Sequence, residues 1–208
     1  MKIGIYGGTF SPPHDGHVKL CREFVRFVSP DRMLIIPAGV PPHKIAGDVP
    51  EPEVRLEMCR SAFSEVSPKV EVSEAEVWMT SPSYTVDTLR KFAPEGDVFL
   101  LCGSDMFLTL DTWREPEEIF RLSHVVCGAR NTEAEIVPLL YEKAEYYRCT
   151  FGADCSIMEY EPVELSSTEI RESIARGEVP RGICPDVMRL IRERGLYGCG
   201  GEICDNGE

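Results

Sequence analysis

Long apolar runs, an excess of positive charge and paired cysteine motifs are all missing from this 208-residue sequence. A membrane-spanning helix needs about 18 or more consecutive apolar residues, and no segment approaches that length. Lysines and arginines number 22 against 35 acidic residues, and the net charge of −13 argues against partners such as nucleic acid polymers or anionic membranes. No apolar signal segment follows Met1. We therefore expect a soluble cytoplasmic protein that binds small molecules.

The nine cysteines contain no C-x-x-C pair and do not match zinc-ligand spacing. An odd number of cysteines favours reduced thiols over a secreted disulfide framework. Four lie in apolar stretches and are predicted to be buried: Cys21, Cys59, Cys102 and Cys127. Four others are better placed for a metal or a bridge, although the spacing does not predict one: Cys149, Cys155, Cys199 and Cys204.

Short apolar runs alternate with amphipathic stretches, which is typical of parallel βα units. Strands are predicted over residues 2–6, 32–37, 69–72, 98–101, 124–128 and 155–160. Helices are predicted over residues 17–28, 54–63, 84–92, 115–122, 133–147, 168–176 and 186–194. The pattern predicts the α/β class, with an open, doubly wound, Rossmann-like parallel sheet. Residues 1–197 would form the domain, and residues 198–208 a flexible C-terminal tail.

The first predicted strand leads into a glycine pair and two histidines, in the sequence IGIYGGTFSPPHDGH. Gly7 and Gly8 let backbone N–H groups approach a ligand, and the following helix aims further N–H groups and its positive dipole end at the same place. The imidazoles of His14 and His17 can donate hydrogen bonds to phosphoryl oxygens as negative charge builds up. The segment contains no protease triad, metal cage or Walker lysine loop. It therefore predicts phosphate chemistry on a nucleotide.

Polar residues also follow the other predicted strands, and the carboxyl ends of strands form the ligand crevice in doubly wound sheets. They include Thr9, His43, Lys44, Asp105, Arg130 and Ser166–Thr168. Ser166 and Glu169 have capping-box spacing, and Arg171 lies one turn into the same helix. This helix start is therefore suited both to capping and to polyphosphate binding.

Taken singly, several residues also have ordinary interpretations. Lys44 could be a solvated surface lysine, Asp105 a helix cap and Thr85 the start of a helix. Trp113 could be a packing residue, or its indole could stack on a flat heterocycle.

The motifs together resemble those of the bacterial nicotinate-nucleotide adenylyltransferases, members of the nucleotidyltransferase superfamily with the HxGH motif. Their GGTF-x-P-x-H-x-GH pattern stands here at residues 7–17. The resemblance continues through PPHK at 41–44, SYTVDTL at 83–89, GSD at 103–105, Trp113, Arg130, SSTEIR at 166–171 and GLY at 195–197. The HxGH and SSTxIR elements indicate only nucleotidyl transfer, whereas the GGTF, PPHK and SYTxDTL elements are more specific.

The resemblance implies transfer of the adenylyl group of ATP to nicotinate mononucleotide, giving deamido-NAD and pyrophosphate in NAD biosynthesis. It implies that His14 and His17 are catalytic. The implied ATP-binding residues are Gly7, Gly8, Thr9, Phe10, His14, His17, Lys44, Gly103, Asp105, Ser167, Thr168 and Arg171. The implied nicotinate-nucleotide-binding residues are Thr85, Trp113 and Arg130. Mg²⁺ is expected to arrive with ATP, and no protein metal site is predicted.

Two positions depart from the family pattern. Ser11 replaces the aspartate that is usual before the proline, and residues 129–132 lack the proline-glycine that often follows the arginine, which leaves the role of Arg130 open. Two alternative functions also remain: another HxGH adenylyltransferase, of the pantetheine-phosphate or nicotinamide-mononucleotide type, and a non-catalytic nucleotide-sensing module. The sequence predicts neither the preferred pyridine mononucleotide nor the oligomeric state.

Overall fold

Strands and helices alternate along the computed structural model, which describes residues 1–40, 49–132 and 135–199. The strands are β1 (Lys2–Gly8), β2 (Arg32–Pro37), β3 (Val70–Val72), β4 (Asp97–Gly103), β5 (Ser123–Arg130) and β6 (Cys155–Tyr160). The α-helices are α1 (Asp15–Val28), α2 (Pro52–Phe63), α3 (Thr85–Phe92), α4 (Ser104–Leu108), α5 (Pro116–Leu122), α6 (Val137–Phe151), α7 (Ser167–Ala175) and α8 (Pro185–Glu193).

The six strands form one sheet in the order β3-β2-β1-β4-β5-β6, and every neighbouring pair is parallel. The chain runs outward from β1 to β3, then returns to β4 on the other side of β1 and runs outward again. The strand order therefore reverses between β1 and β4, and a crevice opens there at the carboxyl ends of both strands. The predicted doubly wound parallel sheet is confirmed.

Both faces of the sheet are covered, which explains the nearly continuous apolar strands. In β2, Leu34 and Ile36 pack on one face, with helices α3, α5 and α6. Met33 and Ile35 pack on the other face, with α1 and α2. Burying one such side chain contributes about 1.5–3 kcal/mol. A third cluster joins α7 and α8 to Met58 of α2, so the C-terminal helices pack outside the α2 layer.

The predicted element boundaries differ from the observed ones mainly at helix starts. Helix α1 begins two residues earlier than predicted because His14 caps it. Helix α6 begins at Val137, with a proline in its first turn, and continues to Gly152, whose positive φ of 65° ends it. The residue pattern does not predict α4, because five residues are too few to show a helical period.

Among the residues that the structure describes, no helix has both the length and the apolar character needed to cross a membrane. The four cysteines predicted to be buried are buried free thiols. Cys149, Cys155 and Cys199 are also free, whereas Cys204 lies outside the described residues.

Candidate active site

His14 caps the N-terminus of α1, and His17 completes the cap. The Gly16 N–H donates to His14 Nδ1 at 3.1 Å, and the His14 N–H donates to His17 Nδ1 at 3.3 Å. This is the reciprocal geometry of a capping box, built from two imidazoles in place of the usual hydroxyl and carboxylate. The ring centroids lie 3.8 Å apart with a tilt of 35° between the planes, so the two imidazoles face each other at the helix start.

The cap also determines where the protons sit. Burial, reinforced by the positive charge of Arg130, lowers the pKa of His14 to about 4, so this imidazole is neutral at pH 7. In both rings Nδ1 accepts a backbone N–H, which assigns the proton to Nε2. The pair therefore offers Nε2–H donors next to the N–H groups of the α1 N-terminus.

The glycines of this region differ in the space that surrounds them. A Cβ on Gly16 would lie 2.9 Å from Nδ1 and Cε1 of His14, so any larger residue would push the ring from its capping position. A Cβ on Gly7 or Gly103 would meet nothing within 4 Å. Open space therefore lies above the carboxyl ends of β1 and β4, where the sheet topology places the crevice.

The turn after β1 packs against the histidine rings. Phe10 has a left-handed φ of 48° and a side chain only 2% exposed, and its ring meets that of His17 at 5.2 Å in an edge geometry. The Phe10 side chain is therefore a packing group, and only its backbone remains as a ligand contact. Ser11 is also buried, with its Oγ 3.1 Å from the Tyr197 hydroxyl.

Helix α7 is bonded to the same turn. Ser167 Oγ donates to the Pro12 carbonyl at 3.1 Å, and Arg171 Nη1 donates to the Ser11 carbonyl at 2.9 Å. Arg171 Nη2 also donates to Thr168 Oγ1 at 3.1 Å. The predicted capping box between Ser166 and Glu169 is present. The N-termini of α1 and α7 therefore lie against one turn, and a hydroxyl and a guanidinium stand beside them, which suits a polyphosphate.

Thr85 and Trp113, the two residues predicted to lie at the nicotinate ring, stand on segments that contact each other. Thr85 is the first residue of α3, and Trp113 is half-buried after α4. The Arg114 guanidinium lies 4.6 Å from the centre of the Tyr84 ring, so the residues next to Trp113 and Thr85 are in contact.

The segment that leads to Trp113 is held by α6. The buried Tyr147 hydroxyl donates to the Phe107 carbonyl at 2.6 Å, and Lys143 forms an ion pair with Asp111 at 2.9 Å. These bonds fix the segment that precedes Trp113.

Asp105 lies two residues after the end of β4, and Arg130 ends the neighbouring strand β5. Asp105 is exposed in the first turn of α4, but the N-cap of that helix is Gly103, so the interpretation of Asp105 as the cap is wrong. Arg130 is the last residue of β5, and its charge acts on His14. Arg130 therefore lies close enough to His14 for its charge to lower the pKa of that imidazole.

The sequence of this chain matches the family described as "Cytidylyltransferase-like" over residues 5–173. Proteins named "Probable nicotinate-nucleotide adenylyltransferase" align over nearly its whole length. The protein of Roseiflexus sp. (strain RS-1) is 36% identical over 94% of this chain and 97% of its own. That of Desulfatibacillum aliphaticivorans is 31% identical over 95% and 100%. The chain belongs to the nicotinate-nucleotide adenylyltransferases, within the cytidylyltransferase-like family.

Solved structures share the fold of this family member at lower sequence identity. Plasmodium falciparum nicotinic acid mononucleotide adenylyltransferase complexed with NaAD superimposes with a TM-score of 0.76 at 17% identity, covering 97% of this chain and 99% of that one. The putative nicotinate-nucleotide adenylyltransferase of Vibrio parahaemolyticus gives a TM-score of 0.62 at 19% identity, with 95% of each chain covered. The pantetheine-phosphate type and the non-catalytic module are not favoured by these relatives.

The structure brings most of the predicted site residues to one edge of the sheet. Lys44 and its neighbour His43 lie outside the described residues, so the role of Lys44 stays a prediction. Sequence reasoning missed two buried charged residues below the site, Arg55 and Glu76. A signal for Arg55 was the apolar character of Met58 and Cys59, which lie three and four residues further along the same helix face.

Proposed function

We propose that this enzyme transfers the adenylyl group of ATP to nicotinate mononucleotide at the crevice between β1 and β4, releasing deamido-NAD and pyrophosphate. The observation that carries the proposal is the reciprocal cap that His14 and His17 form at the N-terminus of α1, which assigns an Nε2–H donor to each ring. Helix α7 is hydrogen-bonded to the turn that precedes this cap. The proposed reaction serves NAD biosynthesis. Because ATP and the mononucleotide are metabolites of the cell interior, we place it in the cytoplasm.

The reaction needs no general base in this site. The phosphate of the mononucleotide is a phosphomonoester with a second pKa of about 6, so it is already largely ionised at pH 7. It attacks the α-phosphorus in line, the bond between the α-phosphorus and its bridging oxygen breaks, and pyrophosphate leaves. The protein has to align the two substrates and stabilise the charge on the transferring group.

The proposed ATP contacts follow from this arrangement. The Nε2–H groups of His14 and His17 donate to phosphate oxygens of the transferring group. Arg171, Ser167 and Thr168 hold the β- and γ-phosphates at the start of α7. The backbone of Gly7, Gly8, Thr9, Phe10 and Gly103 and the side chain of Asp105 surround the nucleoside end.

The nicotinate mononucleotide would lie with its ring between Thr85 and Trp113, where the indole stacks on the flat heterocycle. We assign Arg130 to the phosphate of this substrate. The charge of Arg130 acts on His14, and the attacking phosphate has to lie beside the α-phosphate of ATP. This gives the predicted nicotinate-nucleotide contact of Arg130 a defined partner.

Magnesium would enter the site as part of the substrate, bound to ATP. Among the described residues, no group of three or more His, Cys, Asp or Glu side chains could hold a metal ion. Phosphate oxygens and waters would supply most of its ligands, since Mg²⁺ keeps several waters and often takes few from protein. When bound, the ion would neutralise charge on the triphosphate.

The test is the release of pyrophosphate from ATP by the purified chain with nicotinate mononucleotide, and separately with nicotinamide mononucleotide or pantetheine phosphate. We expect turnover with nicotinate mononucleotide and a higher kcat/KM than with either other acceptor. The His17→Ala variant should lose about 100-fold in kcat, because it lacks one transition-state donor. Exchange of labelled pyrophosphate into ATP without any mononucleotide, or full activity of the variant, would contradict the proposal.

A further inference from the structure

Arg55 is a buried arginine that is hydrogen-bonded to three main-chain carbonyls of two segments near the site. It comes from α2, its side chain is only 1% exposed, and its guanidinium donates to main-chain carbonyls. Nε donates to Pro50 at 2.9 Å, Nη1 to Thr9 at 3.0 Å and Nη2 to Gly39 at 3.0 Å. One guanidinium therefore connects the turn after β1 to both ends of the segment between β2 and α2.

Gly39 connects that segment to the stretch before α3. Its N–H donates to Ser83 Oγ at 3.1 Å, and the Ser83 N–H donates to the Val40 carbonyl at 3.1 Å. A Cβ on Gly39 would lie 2.1 Å from the Glu76 carbonyl oxygen, so the two segments approach as closely as a glycine allows. The carbonyl of Gly39 thus accepts from Arg55, and the N–H of the same residue donates to Ser83.

Glu76 completes the network on the α3 side. It is 8% exposed and accepts a hydrogen bond from Thr88 Oγ1 at 2.5 Å. Burial raises the pKa of Glu76, and hydrogen bonds from Thr88 and Ser83 together with the charge of Arg55 oppose that rise. The side-chain atoms are buried and bonded, which makes this a satisfied polar network rather than a set of isolated contacts.

We infer that Arg55 and Glu76, acting through Gly39 and Ser83, are positioning residues that fix the distance between the turn that binds ATP and the segment that binds the nicotinate ring. This inference rests on the proposed function. Thr9 at one end of the network belongs to the ATP turn, and Ser83 at the other end stands two residues before Thr85. Arg55, Glu76 and Ser83 are buried, so we infer that they act through these backbone segments.

The physical reason is the demand of in-line transfer. The attacking oxygen and the α-phosphorus belong to substrates held by different segments, and a displacement of about 1 Å can cost about 100-fold in rate. Hydrogen bonds to backbone carbonyls and N–H groups fix the segments themselves, whereas side-chain contacts to the substrates do not. Loss of one bond should therefore alter both substrate affinity and turnover.

The experiment measures kcat and both KM values of Arg55→Lys and Ser83→Ala, normalised to folded protein by circular dichroism. Arg55→Lys keeps the charge but loses the fork that reaches three carbonyls. Ser83→Ala removes the hydroxyl that accepts from Gly39 and donates to Glu76. Matched controls are Arg60→Lys, an exposed arginine of the same helix, and Ser81→Ala, an exposed serine of the same segment.

We expect Ser83→Ala to raise KM for nicotinate mononucleotide about fivefold or more and KM for ATP less than about twofold. Arg55→Lys should raise both KM values and lower kcat about tenfold. The double variant should be less impaired than the product of the two effects, because both act on Gly39. The two controls should match the wild type.

Unchanged KM values and kcat per folded molecule in both variants would overturn the inference, since a merely structural role lowers only the amount of folded enzyme. If Arg55→Lys fails to fold, Ser83→Ala decides by the same criterion. A wild-type chain without turnover on nicotinate mononucleotide would instead contradict the proposed function itself. The two failures are therefore distinct.

Discussion

Lowering the pH from 7 to 5 should weaken the fold through His14. Burial lowers the pKa of this imidazole to about 4, against 6.5 in the unfolded chain. In this window the unfolded state takes up a proton that the folded state does not. Stability is therefore fully present above about pH 6.5 and falls as the pH drops toward 4.

The size of the effect follows from the two pKa values. A shift of 2.5 units corresponds to about 3 kcal/mol when the titration is complete. Between pH 7 and pH 5 the same relation gives about 2 kcal/mol. That is a sizeable part of the roughly 5–15 kcal/mol by which a domain of this kind is stable.

The assay is urea unfolding of the wild type and of His14→Asn at pH 7 and pH 5. Asparagine does not titrate and is a favourable N-cap, so it keeps the acceptor for the Gly16 N–H. Carboxylates contribute to the pH dependence of both proteins and cancel in the comparison. The wild type should lose about 2 kcal/mol more than the variant on acidification. Equal losses in the two proteins would refute the assignment of a neutral, buried His14.

Three further predictions concern the site. Gly16→Ala should displace the His14 ring and lower kcat about tenfold or more, and steady-state kinetics with an unchanged kcat would contradict the steric argument. Asp111→Ala should release the segment before Trp113 and raise KM for nicotinate mononucleotide about fivefold with KM for ATP unchanged, measured by varying each substrate in turn. Arg171→Ala should raise KM for ATP about tenfold with little effect on the other KM, and the reverse pattern would remove Arg171 from the triphosphate site.

The sheet was predictable because its strands are buried on both faces and are therefore nearly continuous apolar runs. The run at Val98–Leu101 became the central part of β4, and Arg32–Pro37 matched β2. Helix starts were less predictable, since histidine is not a usual N-cap and no propensity rule places the beginning of α1 at Asp15. The difference is between burial, which leaves a pattern along the chain, and capping, which depends on one side chain.

The site was predictable where a motif gathers its own residues and not where distant segments meet. His14 and His17 lie within one turn of each other, so their spacing indicated a shared ligand. Arg55 acts on carbonyls that its helix does not contain, and Glu76 lies in an irregular segment without any period. The bonds of such buried charges depend on tertiary contacts, which residue spacing does not encode.

The most direct test of the account is a crystal structure of the chain with a non-hydrolysable ATP analogue. We predict phosphate oxygens within about 3 Å of Nε2 of His14 and His17, and the β- and γ-phosphates at the start of α7 beside Arg171. A triphosphate bound elsewhere, with both Nε2 atoms facing water, would contradict the central claim that the capped turn after β1 binds and activates ATP.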